Sequence, residues 1–318
     1  MSLTKQKAMK RLEKKLSRYH KVYEQLYEYP LISTLKIGEN TGIPRSTVSA
    51  YILQMYELSI LKGPLIFLKP AKDYHEYVHF LTFENPLFTY QYLKDFPHVI
   101  SRSLTSGGWN VLLICEKMMD FSILKGFKQC LLKEAKGATH LSKVTSLDWE
   151  ESLKRMRSMM HFPEEKSFLY EEIPTISWRP EEWTLYNRLK YNVRTKKKNI
   201  LKKCQIRYEL YQNWIPGLSQ FANIQAAFYP HGTESYLFLD FLFRSEYQKQ
   251  LADILGQLPS TSVFFSVGDY LFARLSVLNI LEVKLLFSFI FELQKKGFLT
   301  DFHQAAVSST SEFGLDIR

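Results

Sequence analysis

STLKIGENTGIPRSTVSAYILQMYELSI, residues 33–60, decides how the rest of the chain is read. Two short segments with apolar residues at three- and four-residue spacing flank Thr41-Gly42-Ile43. Ser33 or Thr34 can cap the first segment. Gly42 suits a tight turn, and Pro44 suits the first turn of a following helix, where its missing N–H costs nothing. That helix would bury Val48, Ile52 and Met55 and turn Arg45, Ser46, Ser49 and Ala50 outward. The pattern predicts a helix-turn-helix whose second helix fits a DNA major groove.

Working outward, residues 5–29 read as a long helix. Leu12, Leu16, Tyr19, Val22, Tyr23 and Leu26 recur at helical spacing, and Tyr29-Pro30 ends it. Lys62-Gly63-Pro64 breaks the pattern after the second helix, and residues 65–68 read as the strand of a wing flanked by Lys62 and Lys69. From Tyr74 the period changes to two. Strands are expected near 74–83, 99–104, 109–115 and 138–147, with helices at 87–96 and 121–136. Ser106-Gly107-Gly108 makes a hairpin turn, and Gly137 closes the second helix. The order is βαββαβ, a ferredoxin-like unit.

The second half repeats the first. Strands are expected at 235–243, 262–266, 270–277 and 299–307, with helices at 246–258 and 280–296. Pro97 and Pro259 differ by 162 positions, Gly107 and Gly268 by 161, Gly137 and Gly297 by 160. The same offset makes residues 183–228 a second winged helix, with Trp183, Tyr186, Leu189 and Lys190 on its first helix and Pro216 ending or kinking its third. The expected fold class is α+β: two copies of a winged helix-turn-helix followed by a ferredoxin-like (βαββαβ) sandwich. The expected units are 1–70, 71–150, a connector at 151–180, 181–232 and 233–318.

The chain has 318 residues, 42 basic and 32 acidic, for a net charge of +10. Such a balance favours an anionic partner, nucleic acid first. The charge clusters in the N-terminal helix and again at Arg194, Lys196, Lys197, Lys198, Lys202, Lys203 and Arg207. A solvated helix face is the plain alternative for both clusters. Cys115, Cys130 and Cys204 show neither CxxC nor metal-ligand spacing, so neither a disulfide framework nor a metal site is expected. The charged N-terminus does not read as a secretory signal. The apolar run 285–291 is too short to span a bilayer, and a cytoplasmic location is expected.

Gly42-Ile43-Pro44-Arg45-Ser46-Thr47-Val48-Ser49 resembles the turn and recognition-helix start of the Lrp/AsnC (feast/famine) transcriptional regulators. The turns at Gly107-Gly108 and Gly268-Asp269-Tyr270 are similar to that family's Gly-Asp-Tyr-Asp hairpin. Ala50 stands where the family often has a basic residue, and Ser59 where it has glycine. The resemblance implies a sequence-specific DNA-binding regulator, with no cofactor and no catalytic residues. Its partners would be double-stranded DNA and further copies of the chain, or the two sandwiches would pair within one chain. A small-molecule effector would sit at Gly107, Gly108, Gly268 and Asp269.

On that reading Lys36, Arg45, Ser46, Thr47, Ser49, Ala50, Lys62 and Lys69 form the first DNA-contacting surface. The 196–207 cluster forms the second. Some Lrp-like proteins are instead sirohaem decarboxylases, with histidines and basic residues around a tetrapyrrole. His79, His98, His140, His161, His231 and His303 are scattered here and match no motif. That enzyme, or a co-regulator without DNA contact, is the alternative reading.

Overall fold

The computed structural model of the chain describes residues 3–163 and 165–311. Helix α1 (Leu3–Glu28) buries Tyr19, Val22, Tyr23 and Leu26, while Leu12 is exposed. Ser33 Oγ accepts from Lys36 N and starts α2 (Thr34–Thr41). Gly42, in the left-handed region at φ 68°, ends α2, and Pro44 precedes α3 (Arg45–Glu57). Val48, Ile52 and Met55 are the buried face of α3, as the spacing predicts.

Strand β1 (Leu61–Leu68) is where the first expectation fails. It is not a free wing. It pairs antiparallel with a strand of the second half, from Leu61 opposite Phe228 to Leu68 opposite Ala222, with an irregularity between Lys62 and Leu65. Lys62-Gly63-Pro64 therefore bends the strand without ending it.

The first half continues as β2 (Glu76–Phe83), α4 (Pro86–Tyr92), β3 (Val99–Gly107) and β4 (Val111–Cys115). The helix expected at 121–136 is absent. In its place stands β5 (Phe127–Lys136), laid along β2 from Glu76 opposite Lys136 to Phe83 opposite Phe127. The strand expected at 138–147 shrinks to β6 (His140–Leu141). The FKQCLLKEAK run favours helix locally, but β2 has an open hydrogen-bonding edge there. Satisfying that edge outweighs a propensity of tenths of a kcal/mol per residue.

Helix α5 (Trp149–Met159) leads to α6 (Pro180–Leu189), α7 (Lys197–Cys204) and α8 (Tyr208–Phe221). Helix α8 runs on through Pro216, with Trp214 and Leu218 buried on either side. Strand β7 (Ala222–Phe228), the partner of β1, follows. Then come β8 (Leu237–Arg244), α9 (Gln248–Leu255), β9 (Val263–Val267), β10 (Tyr270–Val277), α10 (Ile280–Lys295) and β11 (Asp301–Thr310), the order the repeat predicts.

Each half lays its strands in the same spatial order, β3-β4-β2-β5 and β9-β10-β8-β11. The halves then join edge to edge. Strand β3 pairs with β11 from Gly107 opposite Ala305 to Ser103 opposite Thr310, and β5 meets β9 at Lys136 opposite Val267. Every strand of this sheet except β6 thus lies in one closed barrel. Val78, Phe80, Leu112, Phe265 and Phe272 are buried in one cluster of its interior. Helices α5, α9 and α10 cover the outer face of the second half. The first half, lacking its second crossover helix, is covered more thinly. Phe121, on the 116–126 loop, packs there with Leu81, Leu93 and Leu113.

The β1–β7 ribbon lies between the two three-helix units. Helix α1 stacks Tyr23 on Phe228 of β7, with ring centroids 4.7 Å apart. Leu185, Leu189, Trp214 and Leu218 of α6 and α8 pack with Ile66 and Leu68 of β1. Each helical unit is therefore seated on both strands of the ribbon.

Arg274 of β10 and Asp240 of β8 form a bidentate ion pair at 2.7 and 2.8 Å, with 1% and 0% side-chain exposure. Arg274 Nη2 also donates to Ser103 Oγ at 3.2 Å, and Ser103 Oγ lies 2.7 Å from Thr310 Oγ1. This network ties β8 and β10 to the β3–β11 seam. Breaking one partner of such a buried pair costs about 3–5 kcal/mol, whereas replacing both by apolar groups is often neutral. Asp240→Leu should therefore lower the unfolding free energy in urea by about that much, and Asp240→Leu with Arg274→Met should recover most of it.

His79 of β2 is buried, its Nε2 has no protein partner, and its ring meets Phe121 edge-on at 5.1 Å. Burial pulls its pKa down from 6.5 to about 4, with Lys133 adding to the shift. The unfolded chain thus binds a proton that the folded chain refuses, so stability rises with pH through this window. His79's contribution should be complete above pH 6.5 and fall as pH drops toward 4. By linkage the loss is on the order of 2–3 kcal/mol. His79→Leu should flatten that part of the stability–pH curve.

Candidate functional site

The end of the barrel beneath the β1–β7 ribbon is open on one side. A narrow slot of about 60 Å³, apolar-walled with a few polar groups, enters there. Leu65–Leu68 of β1 form one wall, and Tyr186, Lys190 and Tyr191 at the end of α6 form another. Ile100 and Ser101 of β3 and Ile114 of β4 belong to the floor, with Glu76 and Lys136 beside them. The walls are held by backbone bonds. Ile66 N donates to Lys190 O at 2.8 Å, and Val193 N to Pro64 O at 2.9 Å.

Glu76 and Lys136 are opposite residues on β2 and β5, so their side chains share one face. Lys136 Nζ lies 2.9 Å from Glu76 Oε2, donates to Gly137 O at 3.3 Å, and sits 5.0 Å from the Phe265 ring centre. Tyr74 Oη donates to Glu76 Oε1 at 3.0 Å. Burial drives the Tyr74 and Tyr186 hydroxyls well above their ordinary pKa, so both stay protonated.

Two polar groups of the slot make no side-chain hydrogen bond or ion pair among the described residues. Thr139 is fully buried, lines the slot, and its hydroxyl makes no protein hydrogen bond. Lys190 is half-buried. Its Nζ lies 5.8 and 5.4 Å from the Tyr186 and Tyr191 rings, and no carboxylate of the described residues is within ion-pair distance of it. Burial lowers its pKa, while Glu76 and Glu116 oppose that shift.

The slot widens into a second cleft of about 500 Å³ through the shared residues Ile100, Ser101, Tyr191 and Ser311. Lys94 and Arg102 line this part, with Ser309 and Thr310 at the end of β11. The Arg102 guanidinium lies 4.0 Å over the Tyr90 ring and donates to Tyr90 O. The corresponding end of the second half is filled instead. Tyr229, Phe238, Val263 and Val307 pack there with Leu65, Phe67 and Leu141.

The residues expected to touch DNA are dispersed. Arg45, Ser46, Ser49 and Ala50 are exposed on α3 and Thr47 is half-buried. Lys36 pairs with Glu39 at 3.0 Å. Lys62 and Lys69 lie at the two ends of β1, half-buried, and Lys69 pairs with Glu171 at 3.4 Å. Lys196, Lys197, Lys198, Lys202, Lys203 and Arg207 are exposed in and around α7, with Lys197 bonded to Tyr208 Oη at 3.1 Å.

The four expected effector positions also lie apart from the slot. Gly107 has φ +149°, and a Cβ there would stand 2.4 Å from Gln304 O. The close approach that needs glycine is to strand β11. Gly268 and Asp269 turn between β9 and β10 in the open. No histidine lines either part of the cleft. His79 is in the outer core, His98, His161 and His231 are exposed, His303 lies 6.5 Å from the Tyr270 ring, and His140 lines a separate hollow near Asp253.

Glu76, Thr139, Lys136 and Arg102 were not singled out from the sequence. They come from separate elements with no local spacing. One signal was present: Glu76 shares its alternation with the inward Val78 and Phe80, which puts a charge on an apolar face.

No family model matches the sequence, and no curated protein does. Two solved structures are similar to this one. One is the siroheme decarboxylase NirDL, at TM-score 0.50 and 11% identity over 92% of this chain and 91% of that one. The other is the same enzyme in co-complex with an iron-uroporphyrin III analogue, at TM-score 0.47 and 11% identity over 92% of each chain.

The expectation of a DNA-binding transcriptional regulator that is not an enzyme, with double-stranded DNA as partner, is corrected on this finding. The neighbouring fold is an enzyme's, and the strand meant to be a wing is built into the body of the protein. No helix among the described residues is long and apolar enough to cross a membrane.

An unpartnered buried hydroxyl costs about 1–3 kcal/mol. Thr139→Val should therefore stabilise the ligand-free protein by about 1 kcal/mol in urea denaturation, unlike most substitutions at fully buried positions.

Proposed function

We propose that the chain binds an iron tetrapyrrole bearing several carboxylates and removes carbon dioxide from it, the reaction named for the enzyme whose fold it shares. The observation that supports this most is the chemistry of the slot. It is narrow and largely apolar-walled, as a flat macrocycle requires, and it opens onto a shelf carrying Lys94, Arg102 and Lys190. Cationic donors beside an apolar floor are what peripheral carboxylates need, because charge-assisted bonds strengthen where water is excluded.

We also read the two halves as copies of one unit: three helices, a bridging strand and a βαββαβ sheet, with the boundaries the sequence repeat suggests. In the first copy the second crossover helix has given way to the 116–126 loop and β5. The open mouth lies on the side of the first copy's strands, walled also by Tyr186, Lys190 and Ser311 of the second, which supports one substrate site per chain.

Titration with siroheme or iron uroporphyrin III should shift the absorbance of the ligand saturably, with about one equivalent bound per chain. Mass spectrometry should follow loss of carbon dioxide from siroheme. Arg102→Ala should weaken binding about tenfold, the worth of one charge-assisted contact. Unchanged ligand spectra up to about 1 mM, the weak end of specific binding, would sink the reading.

A further inference from the structure

We infer that the Lys190 ammonium is the general acid of this reaction, returning a proton to the carbon that has lost carbon dioxide. The inference rests on the proposed function and goes beyond it, because no histidine lines the cleft to do this work.

Two lysines line the slot, and only Lys136 is in a close ion pair; Lys190 feels Glu76 and Glu116 at longer range. Lys136 is held by Glu76 at 2.9 Å and by Gly137 O, with 3% of its side chain exposed. Lys190 has aromatic faces at 5.4 and 5.8 Å and no carboxylate within ion-pair distance among the described residues. A half-buried ammonium left this way is costly, and lysine is seldom buried unpaired. Its backbone is fixed by the bond from Ile66 N to Lys190 O, so the side chain stays at the slot mouth. Tyr186 is the other proton-bearing group on that wall, but burial holds its proton tightly. Burial acts on Lys190 in the opposite sense and loosens its proton.

The step balances without any oxidant. A carboxylate one methylene from the macrocycle leaves as CO2 when its carbon–carbon bond breaks. The bonding electron pair passes into the conjugated ring and returns to the methylene carbon. A C–H bond forms there with the Lys190 proton, leaving a methyl group and a neutral amine, which solvent reprotonates. The apolar floor of Ile100 and Ile114 keeps water from the departing carboxylate.

The experiment compares Lys190→Arg and Lys190→Met with the wild type for siroheme binding and single-turnover loss of carbon dioxide. Arginine keeps the charge but holds its proton too tightly to donate it. Lys190→Arg should bind siroheme within about tenfold of wild type yet turn over at least about 100-fold more slowly. Lys190→Met should lose both binding strength and turnover.

A second readout does not depend on turnover. Reductive methylation near pH 8 should label the Lys190 amine ahead of the surface lysines, and iron uroporphyrin III should protect it. Near-wild-type turnover by Lys190→Arg would overturn the inference and leave the proposed function standing. So would labelling of Lys190 that is slow and unaffected by ligand. Wild-type protein that binds siroheme without releasing carbon dioxide would overturn both.

Discussion

The edge of a β-sheet is a row of unpaired donors and acceptors, and this protein satisfies its edges by closing two half-sheets on each other. Strand β3 finds β11 and β5 finds β9, all within one chain. The first seam is a ladder from Ser103 to Gly107; the second is held at Lys136 and Val267 and extended by β6. Closure places residues more than a hundred positions apart in one interior. Arg274 reaching Ser103 across the β3–β11 seam is the clearest instance. The ribbon of β1 and β7 then covers one end, with both helical units packed on it.

The end of the barrel beneath the ribbon has two unequal sides. On the side of the second half Tyr229, Phe238 and Val263 meet Phe67 and Leu141 and fill the space. On the side of the first half Glu76, Lys136 and Ser101 take the inward positions, and side chains that must remain hydrogen-bonded cannot pack it shut. The lost helix at 116–126 belongs to the same asymmetry. With a loop in place of a helix, the first half supplies β5 at its full length, and Lys136 at its end reaches Glu76.

The elements themselves were largely readable in the sequence. The cap at Ser33, the left-handed Gly42, the buried stripe of α3 and the whole order from β8 to β11 follow from local spacing and turn chemistry. The misreading at 121–136 is instructive. Leu124, Leu131, Leu132 and Ala135 suit a helical stripe, and Gly137 suits its cap, yet the segment is a strand. What decided it was the open edge of β2, which no local window contains. The wing failed for a similar reason: Leu61–Leu68 was read correctly as extended, but its partner lies in β7.

The sequence by itself determined the two helices and the Gly42 turn within residues 33–60 and the alternation that puts Glu76 on one face with Val78 and Phe80. Those depend on backbone preferences and on periodicities of two and 3.6, which a short window carries. Only the tertiary structure decided what the reader-like segment is attached to and where the chemistry sits. Glu76, Thr139, Lys190 and Ser311 come from different elements and meet at one mouth because the barrel closes and the ribbon lies across it. Whether a lysine is paired or left facing a cleft depends on that meeting, so Lys136 ends in a structural ion pair and Lys190 against two aromatic rings at the cleft.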